Sequence, residues 1–477
     1  MLGSRLFKRN KQSIVRLVVV FVCCLLILML INNKKTIPDE KSADLNEVAS
    51  LRTKKGKQSI AKEEHILTRA NIEAVIASHA DISPSKSQDR LGPADKPLTE
   101  SYADSKHVNL EELSTTIKQL NQEQKLLNKE KFPLRDRDSI VIVIQVHTRA
   151  KYLIKLIQSL RNARGISDAL LIFSHDYYAS DINSLVISID FCQVLQIFFP
   201  HSQQLYPDQF PGTDPDDCPR DTPRRKAVAI GCKNADHPDM YGHYREAKFT
   251  MTKHHWWWKA NRVFHGLDST SDHQGLVLFL EEDHYVSPDF YEVIQKAYAL
   301  KKTSTECKEY GCDIITLGDY KKIASFEDVQ SNLVQVQPWK STENNMGMTF
   351  DRGTWNKLSK CHKLFCTYDD YNWDWTLMKM SLVCFHKPLT VLLVKAPRVF
   401  HLGTCGLHHK TGNCNVEEVL SDARGIIERS KKGLYPKHLA ITVAQPWIQG
   451  SVGQPNGGWG DIRDHELCME YGKSTEK

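Results

Sequence analysis

The sequence predicts an α/β fold with a largely parallel sheet, and two observations support this class. First, short apolar runs of strand length alternate with a helical segment in β-α-β order, which predicts a right-handed parallel layer. Its elements are strands at 140–146, 169–174 and 194–199 and a helix at 150–163. Second, Leu276–Leu280 is apolar throughout, as in a strand that a parallel sheet buries on both faces. The sequence contains neither a P-loop nor a G-x-G-x-x-G motif.

A membrane anchor is predicted near the amino terminus. Residues Leu17–Ile31 are apolar, five basic residues precede them, and Lys34 and Lys35 follow. Because the more basic flank stays cytosolic, we expect a cytosolic tail at 1–12, a signal anchor at 13–33 and a lumenal remainder. A cleaved signal peptide is the alternative, but its small-residue cleavage site is missing after the apolar run.

The net charge of +6 comes from this amino-terminal segment. Seven basic residues precede the first acid. Of the 63 Lys and Arg in the chain, 56 therefore lie beyond this segment, where they are balanced by 57 Asp and Glu. The folded part is therefore close to neutral, which argues against nucleic acid as a partner.

Eleven cysteines lie beyond the anchor. Two C-x4-C pairs would suggest zinc in a cytosolic protein, whereas an oxidising lumen favours disulfides. An odd count leaves one thiol. We expect it to be Cys192, which lies in the apolar stretch FCQVLQIFF.

Residues 34–131 are predicted to form a lumenal stem, followed by the folded domain at 132–477. Up to about Lys106 the stem is polar and poor in aromatics, as flexible segments are. Apolar residues then recur at helical spacing, but over too few heptads for a coiled coil, so we expect this helix to dock on the domain. These residues are Leu110, Leu113, Ile117, Leu120 and Leu127.

Three acids, Glu281, Glu282 and Asp283, end the Leu276–Leu280 strand. Ligands of open α/β sheets bind beyond the carboxyl ends of the strands, and clustered carboxylates commonly share a divalent cation. A solvated acidic turn is the alternative. His401, after the strand Val391–Val394, would complete a mixed oxygen and nitrogen site that suits Mn²⁺, and His408 and His409 compete for this role.

Polar residues also leave the first two strands at their carboxyl ends. They are Gln145, His147, Thr148 and Arg149 after the first strand and Asp176 after the second. Such groups suit a ribose or base, and Arg149 suits a diphosphate. Ordinary loop capping would explain them equally well.

A helix predicted at 243–264 carries Thr252, Lys253, His254 and His255 ahead of three tryptophans at 256–258. Three adjacent side chains cannot share one helix face, so at least one tryptophan is expected to meet a partner other than the core. Lys253 is the candidate counter-charge to a phosphate.

The stretch TYDDYNWDW at 367–375 interleaves acids with aromatic residues, a composition that suits carbohydrate. If it is helical, Asp370 and Asp374 share a face, and one of them could take a proton from a sugar hydroxyl. The alternative is the exposed start of an amphipathic helix.

Together these segments resemble the N-acetylglucosaminyltransferase II family over about residues 134–471. The matching segments are FSHDY, YGHYREAK, TKHHWWWK, EEDHY, WKSTE with NMG, TYDDYNWDWTL and GGWGDIRDHELC. The resemblance implies a GT-A fold and a Golgi type II membrane enzyme. Such an enzyme transfers N-acetylglucosamine from UDP-N-acetylglucosamine to the 2-hydroxyl of the α-1,6-arm mannose of an N-glycan, with inversion and with Mn²⁺ as cofactor.

The resemblance also implies the roles of particular residues. Asp283 and His401 would bind Mn²⁺, and Asp374 would be the catalytic base. The substrates would be bound by Gln145, Val146, His147, Thr148, Arg149, Asp176, Thr252, Lys253, His254, His255 and Trp373, with Tyr371 beside Trp373 at the acceptor. Thr148 and Met251 depart from the family pattern, which has asparagine and glutamine there, so side-chain contacts at these two positions are in doubt.

The family pattern further implies five disulfides. They are Cys218–Cys232, Cys307–Cys312, Cys361–Cys384, Cys366–Cys468 and Cys405–Cys414. Two alternatives remain open, namely a transferase of this fold that acts on another glycan arm and a lumenal lectin without turnover. Whether the chain forms a homodimer is also open.

Overall fold

A computed structural model describes residues 109–132, 137–403 and 415–473. The strands are β1 (Val141–Val146), β2 (Leu170–His175), β3 (Gln193–Phe198), β4 (Leu276–Glu281), β5 (His284–Val286), β6 (Ile314–Thr316), β7 (Leu333–Pro338), β8 (Met348–Asp351), β9 (Thr390–Val394), β10 (Val399–His401) and β11 (Ala440–Val443). Nine of them form one sheet in the order β11-β7-β9-β6-β8-β4-β1-β2-β3, and β10 pairs with β5 in a separate ribbon.

The sheet confirms the predicted parallel layer and adds antiparallel pairs. β4, β1, β2 and β3 lie side by side and run parallel. β8 pairs antiparallel with both β4 and β6, and β7 pairs antiparallel with β9. The fold is therefore mixed α/β with a sheet dominated by parallel pairs, and the carboxyl ends of β1, β2 and β4 meet at one edge.

Helices cover this sheet. They are α1 (Leu110–Glu123), α2 (Ala150–Arg161), α3 (Ser180–Ile187), α4 (Arg224–Ile230), α5 (Ala247–Asn261), α6 (Phe290–Thr303), α7 (Thr305–Tyr310), α8 (Arg352–Ser359), α9 (His362–Thr367), α10 (Trp373–Val383), α11 (Val416–Arg429) and α12 (Ile462–Lys473). Alternate side chains of β1 enter two separate cores. Ile142 and Ile144 join one core, and Val141 and Val143 join the other. Both faces of the sheet are thus buried, which is why its strands are continuously apolar.

The expectation that one tryptophan of α5 meets a partner outside the core is wrong. Trp256, Trp257 and Trp258 are all buried, with exposed fractions of 1%, 0% and 9%. Each meets a different part of the core, because protein encloses α5 on every side. Trp257 stacks on Phe365 at 4.1 Å between ring centroids, and Trp258 meets Phe199 edge-on at 5.5 Å.

The docking helix of the stem is confirmed. In α1, Leu113 and Ile117 pack against Phe198 and Leu205. The side chain of Asn121 also exchanges two hydrogen bonds with the backbone of Phe198, at 2.6 and 2.8 Å. This helix therefore covers the outer strand β3, an edge that would otherwise expose unpaired backbone groups.

Four of the five implied disulfides are present. They are Cys218–Cys232, Cys307–Cys312, Cys361–Cys384 and Cys366–Cys468. Cys192 is free and buried, as predicted. The fifth pair, Cys405–Cys414, lies outside the described residues, as do His408 and His409.

The predicted anchor at 13–33 also lies outside the described residues. Among the helices in the described ranges, none has both the length and the apolar character that a membrane span requires.

Candidate active site

The parallel pairing of β1 with β4 places two groups of candidate residues side by side. Gln145 lies opposite Glu281 in the register, and the N–H of Glu282 donates to the carbonyl oxygen of Gln145 over 2.9 Å. The side-chain oxygen of Gln145 accepts a hydrogen bond from Lys259 of α5. The end of β1 and the acidic turn after β4 thus share one edge of the sheet.

Asp283 meets His401 through the β5–β10 ribbon. The antiparallel register sets His401 opposite His284. The carbonyl oxygen of Asp283 accepts from the N–H of Leu402 over 2.8 Å. Nε2 of His401 then lies 3.3 Å from Oδ2 of Asp283. The two predicted metal ligands are therefore adjacent, although different strands supply them.

Arg149 ties the same turn to the start of α2. Its Nε donates to Oε1 of Glu282 over 2.6 Å, and its Nη1 donates to Oδ2 of Asp283 over 2.8 Å. The N–H of His147 donates to the other oxygen of Glu282 over 2.8 Å. Burial raises the pKa of Glu282, and Arg149 opposes that rise. Arg149 was predicted to face a diphosphate, and the structure shows it compensating two buried carboxylates with about a third of its side chain still exposed.

The acidic turn has the donor atoms that a divalent cation needs. Oδ1 of Asp283 is buried and has no hydrogen-bond partner among the described residues. Ligand atoms of Glu281, Asp283 and His284 lie within 4.8 Å of one another. However, Nδ1 of His284 accepts the N–H of Glu281 at 3.1 Å, so a neutral His284 ring carries its proton on Nε2. Asp283 with His401 is the better carboxylate and imidazole pair, and this donor set suits Mn²⁺.

Gly403 lines this site closely. A Cβ atom at Gly403 would lie 2.1 Å from Oδ2 of Asp283 and 3.0 Å from Nε2 of His401. Only a residue without a side chain fits there, so the backbone itself forms one wall of the proposed metal site.

Charges within the site favour an ionised Asp283. Burial alone would raise its pKa, but hydrogen bonding and charge from His401, together with Arg149 and His284, hold the pKa of Asp283 well below its usual range. For His401, burial lowers the pKa and Asp283 raises it by more, so the pKa of His401 is raised.

The predicted nucleotide-binding residues at the ends of β1 and β2 also lie together. Nδ1 of His147 is 2.7 Å from Oδ1 of Asp176, and the N–H of Asp176 donates to the carbonyl oxygen of Val146 over 3.1 Å. His147 and Thr148 are exposed, so both are accessible to a ligand. The hydrogen bond to Asp176 raises the pKa of His147. A polar, solvent-facing pair therefore stands at the edge of the sheet.

His255 lies beside this pair, inside the core. Its Nδ1 lies 3.7 Å from Oδ2 of Asp176, and its Nε2 lies 2.8 Å from Oγ of Ser174. His255 has no exposed surface, and burial lowers its pKa. Its Nδ1 has no hydrogen-bond partner among the described residues. His255 therefore packs beside Asp176 inside the core and is not exposed to a substrate, which corrects its prediction as a substrate-binding residue.

Lys253 and His254 also need correction. The ammonium group of Lys253 is fully buried and donates to the carbonyl oxygens of Tyr368 and Asp370 over 3.1 and 2.8 Å. Nε2 of His254 lies 3.0 Å from Oδ1 of Asp464 inside the core. Neither side chain can face a phosphate, because each already has protein partners on the inner side of α5. Thr252 is half-buried and donates to the carbonyl oxygen of Phe249.

Asp374 lies in the first turn of α10, and Asp370 lies before that helix begins. The two therefore do not share a helix face. Asp370 is fully buried and accepts hydrogen bonds from Asn372 and Asn456, which ties the carboxyl-terminal segment to this loop. Asp374 is half-buried, and burial raises its pKa to about 7. Asp374 is thus the member of the pair with the exposure and the pKa of a general base.

Trp373 presents an aromatic plane beside Asp374. It stacks on Trp256 with ring centroids 4.6 Å apart and an angle of 3° between the planes. It is only half-buried, so Trp256 fixes one face and part of the ring stays accessible. A fixed, flat and partly exposed ring is suited to a sugar.

Tyr320 connects the metal-ligand pair with Asp374. Tyr320 and His401 line the same cavity. The Tyr320 hydroxyl lies 2.7 Å from Oδ1 of Asn345, and Nδ2 of Asn345 donates to Oδ2 of Asp374 over 3.1 Å. One tyrosine thus lies on a cavity with a predicted metal ligand and is linked by hydrogen bonds to the predicted base.

Sequence reasoning missed the roles of Tyr320, Asn345 and Gly403. Tyr320 follows the end of β6, and the rule that ligands gather at the ends of strands could have found it. Asn345 lies in the segment WKSTENNMG, whose letters match the family but whose spacing suggests no chemistry. Gly403 follows RVFH and is recognisable only once the close contact is seen.

Comparison with known proteins identifies the family of the chain. Residues 114–468 match the family model of N-acetylglucosaminyltransferase II (MGAT2). Similar proteins include several called alpha-1,6-mannosyl-glycoprotein 2-beta-N-acetylglucosaminyltransferase, from mammals and a plant. The rat protein is 50% identical over 74% of this chain and 79% of its own length. The human protein is 46% identical over 74% of this chain and 78% of its own length. The Arabidopsis thaliana protein is 35% identical over 72% of this chain and 77% of its own length.

Among solved structures, the crystal structure of S. aureus TarS 1–349 aligns with 60% of this chain and 70% of its own. The TM-score of 0.27 and identity of 11% are too low to bear on the fold. The family match covers most of the chain and includes all the segments that build the site. The chain therefore belongs to the N-acetylglucosaminyltransferase II family of glycosyltransferases.

Proposed function

We propose that the protein transfers N-acetylglucosamine from UDP-N-acetylglucosamine to the 2-hydroxyl of the α-1,6-arm mannose of an N-glycan. The product linkage is β-1,2, the anomeric centre is inverted, and the domain has a GT-A fold. One observation carries this proposal, namely that Tyr320 lines one cavity with His401 and is joined to Asp374 by hydrogen bonds through Asn345. The relatives' shared name supports the transferred sugar and the acceptor class.

Asp283 and His401 would hold Mn²⁺ in this proposal. The unpartnered Oδ1 of Asp283 and the tight fit at Gly403 support it. When bound, the cation supplies positive charge against the diphosphate of the departing UDP. Arg149 contributes by keeping Asp283 ionised, since its guanidinium lies 2.8 Å from Oδ2 of that carboxylate.

Asp374 acts as the general base. Its carboxylate takes the proton of the 2-hydroxyl while that oxygen forms a bond to the anomeric carbon, and the bond between that carbon and the UDP oxygen breaks. A single displacement from the face opposite UDP inverts the anomeric centre. The raised pKa of about 7 makes Asp374 a stronger base than an exposed carboxylate, while much of it is still ionised near neutral pH.

The remaining groups bind and orient the substrates. His147, Thr148 and Asp176 offer hydrogen bonds to the nucleoside at the ends of β1 and β2. Trp373, held by Trp256, offers a ring to the acceptor sugar. The acceptor glycans are carried by glycoproteins in the lumen, so the catalytic domain must be lumenal. We propose that the protein resides in the Golgi membrane, with residues 13–33 as a single-pass type II anchor.

Product analysis tests this function. The lumenal domain is incubated with UDP-N-acetylglucosamine, Mn²⁺ and an N-glycan with terminal mannose on both arms, and the linkage in the product is determined by nuclear magnetic resonance. We expect a β-1,2 linkage on the α-1,6-arm mannose. A linkage on the other arm would assign the chain to a different acceptor, and glycan binding with neither transfer nor donor hydrolysis would make it a lectin.

A further inference from the structure

We infer that Asn345 is a positioning residue for the base Asp374 and that the Tyr320 hydroxyl fixes the orientation of Asn345. The inference rests on the proposed function, since it assigns a role to two residues through Asp374. Neither residue was singled out by the sequence. Both lie on loops at the ends of strands, where catalytic groups of α/β folds gather.

The contacts form a continuous chain from the phenol to the base. The Tyr320 O–H lies 2.7 Å from Oδ1 of Asn345, and Nδ2 of Asn345 donates to Oδ2 of Asp374 over 3.1 Å. Asn345 is half-buried, so part of its surroundings is protein and part faces the cavity. The amide of Asn345 therefore holds Oδ2 of Asp374 from the side chain of another loop, in addition to the backbone N–H groups of Trp375 and Asp374 itself.

Tyr320 determines which end of the amide meets Asp374. A tyrosine hydroxyl carries its proton near neutral pH, so Tyr320 can donate it to Asn345. The acceptor must then be the carbonyl oxygen of Asn345, which turns the NH₂ group toward Asp374. Without this hydroxyl, the amide could flip and set its own oxygen against the carboxylate.

The turn that carries Asn345 is rigid. The preceding Asn344 is fully buried, its carbonyl oxygen accepts the indole N–H of Trp339 over 2.9 Å, and its Oδ1 accepts the N–H of Lys340 over 3.0 Å. Gly347 follows with φ of +59°, and a Cβ there would lie 2.8 Å from Val399. A rigid support of this kind is what a positioning residue requires.

The electrostatic setting explains why Asp374 needs a donor. Burial is the largest cause of its raised pKa, and the charges of Asp370 and Glu281 add to the rise, whereas the backbone N–H groups of Trp375 and of Asp374 itself lower the pKa. The phenols of Tyr320 and Tyr371 are the other titratable groups nearby. An amide N–H donates only, so it favours the ionised carboxylate over the protonated one. Asn345 thus opposes the neighbouring acids and keeps more of Asp374 in the form that accepts a proton.

Steady-state kinetics of Asn345→Ala and Tyr320→Phe test the inference, with Thr342→Ala, an exposed neighbour on the same turn, as control. Removing a hydrogen bond to a charged group should lower kcat of Asn345→Ala about 10- to 100-fold near pH 6.5. KM for UDP-N-acetylglucosamine should stay within about 3-fold, and the acid limb of the pH profile of kcat should move to higher pH. Tyr320→Phe should lower kcat by about 3- to 10-fold and should also move the acid limb of the pH profile to higher pH.

Wild-type values of kcat and an unmoved acid limb in both variants would overturn the inference, as would a rise in acceptor KM with kcat unchanged, which indicates a direct contact to the sugar. Tyr320→Phe loses only one hydroxyl from a residue that is 53% exposed, so it remains decisive if Asn345→Ala does not fold. Asp374→Asn distinguishes a failure of the proposed base from a failure of the positioning role of Asn345. If Asp374→Asn turns over normally, the proposed base is wrong; if it is inactive while Asn345→Ala is normal, only the positioning role is wrong.

Discussion

Nε2 of His401 lies 3.3 Å from Oδ2 of Asp283, and the antiparallel pairing of β5 with β10 holds them there. The second oxygen of Asp283 is buried without a partner among the described residues. The pair therefore has a fixed geometry and an unused ligand atom, which are the properties of a prepared metal site.

Asp283→Ala should abolish metal-dependent binding of UDP, because it removes the only carboxylate that contacts His401 among the described residues. Calorimetry with UDP in the presence and absence of Mn²⁺ measures this directly. Asp168→Ala, at an exposed position before the amino end of β2, is the matched control and should bind as wild type does. Equal affinity of Asp283→Ala and wild type in Mn²⁺ would rule out Asp283 as a ligand.

Gly403→Ala should weaken the metal site without unfolding the domain. The new Cβ would lie 2.1 Å from Oδ2 of Asp283, so the carboxylate must move. We expect the Mn²⁺ concentration for half-maximal activity to rise about 10- to 100-fold, as for other groups that support metal ligands. Gly472→Ala in α12, where the new Cβ would make ordinary contacts of 3.6 Å with His362, serves as control. An unchanged Mn²⁺ requirement would show that the wall at Gly403 is not part of the site.

The stability of the protein should depend on pH through Asp374. Its pKa is raised from 3.8 to about 7 by burial, so the folded state binds more protons than the unfolded state between these values. The free energy of unfolding contributed by this group therefore falls as pH rises through that window, and Asp374→Asn escapes the fall. The variant should gain roughly 1–3 kcal/mol over wild type at about pH 8 and much less at about pH 4. Thermal melts that show the same difference at both pH values would contradict the raised pKa.

Lys253→Met should destabilise the domain and leave donor binding intact. Losing the ammonium group leaves the carbonyl oxygens of Tyr368 and Asp370 without this donor, at a cost of about 1–3 kcal/mol. The melting temperature should fall by several degrees, while KM for UDP-N-acetylglucosamine stays within about 2-fold. Lys248→Met, at an exposed position of the same helix, is the control. A large rise in donor KM with an unchanged melting temperature would restore the phosphate role of Lys253.

Local patterns were enough to predict the parallel half of the fold. β1, β2, β3 and β4 are continuously apolar because both faces of the sheet are covered, and this pattern is visible in the sequence. The antiparallel β8 between β4 and β6 was not predicted. It is only four residues long, from Met348 to Asp351, and its partners are distant in sequence. Docking of the stem helix was predictable, since Leu113 and Ile117 recur at helical spacing and the repeat is short.

The site was predictable where residue type and strand position decide the chemistry. Asp283 follows a buried strand and His401 follows another, which suggested the pair, and the family resemblance chose His401 over His408 and His409. Lys253 and the tryptophans of α5 were misjudged because composition does not reveal which faces of a helix are covered. A buried lysine bonded to carbonyl oxygens and a lysine facing a phosphate look the same in sequence. The role of Asn345 depends on a contact between separate loops, which no local pattern shows.

The most direct test of the proposed mechanism is the turnover of Asp374→Asn compared with its affinity for UDP. The amide cannot take a proton from the acceptor hydroxyl, but it leaves the Asp283–His401 pair untouched. We expect kcat to fall by about 100-fold or more, with Mn²⁺-dependent UDP binding at the wild-type level. Wild-type turnover would remove Asp374 from the role of base and contradict the mechanism.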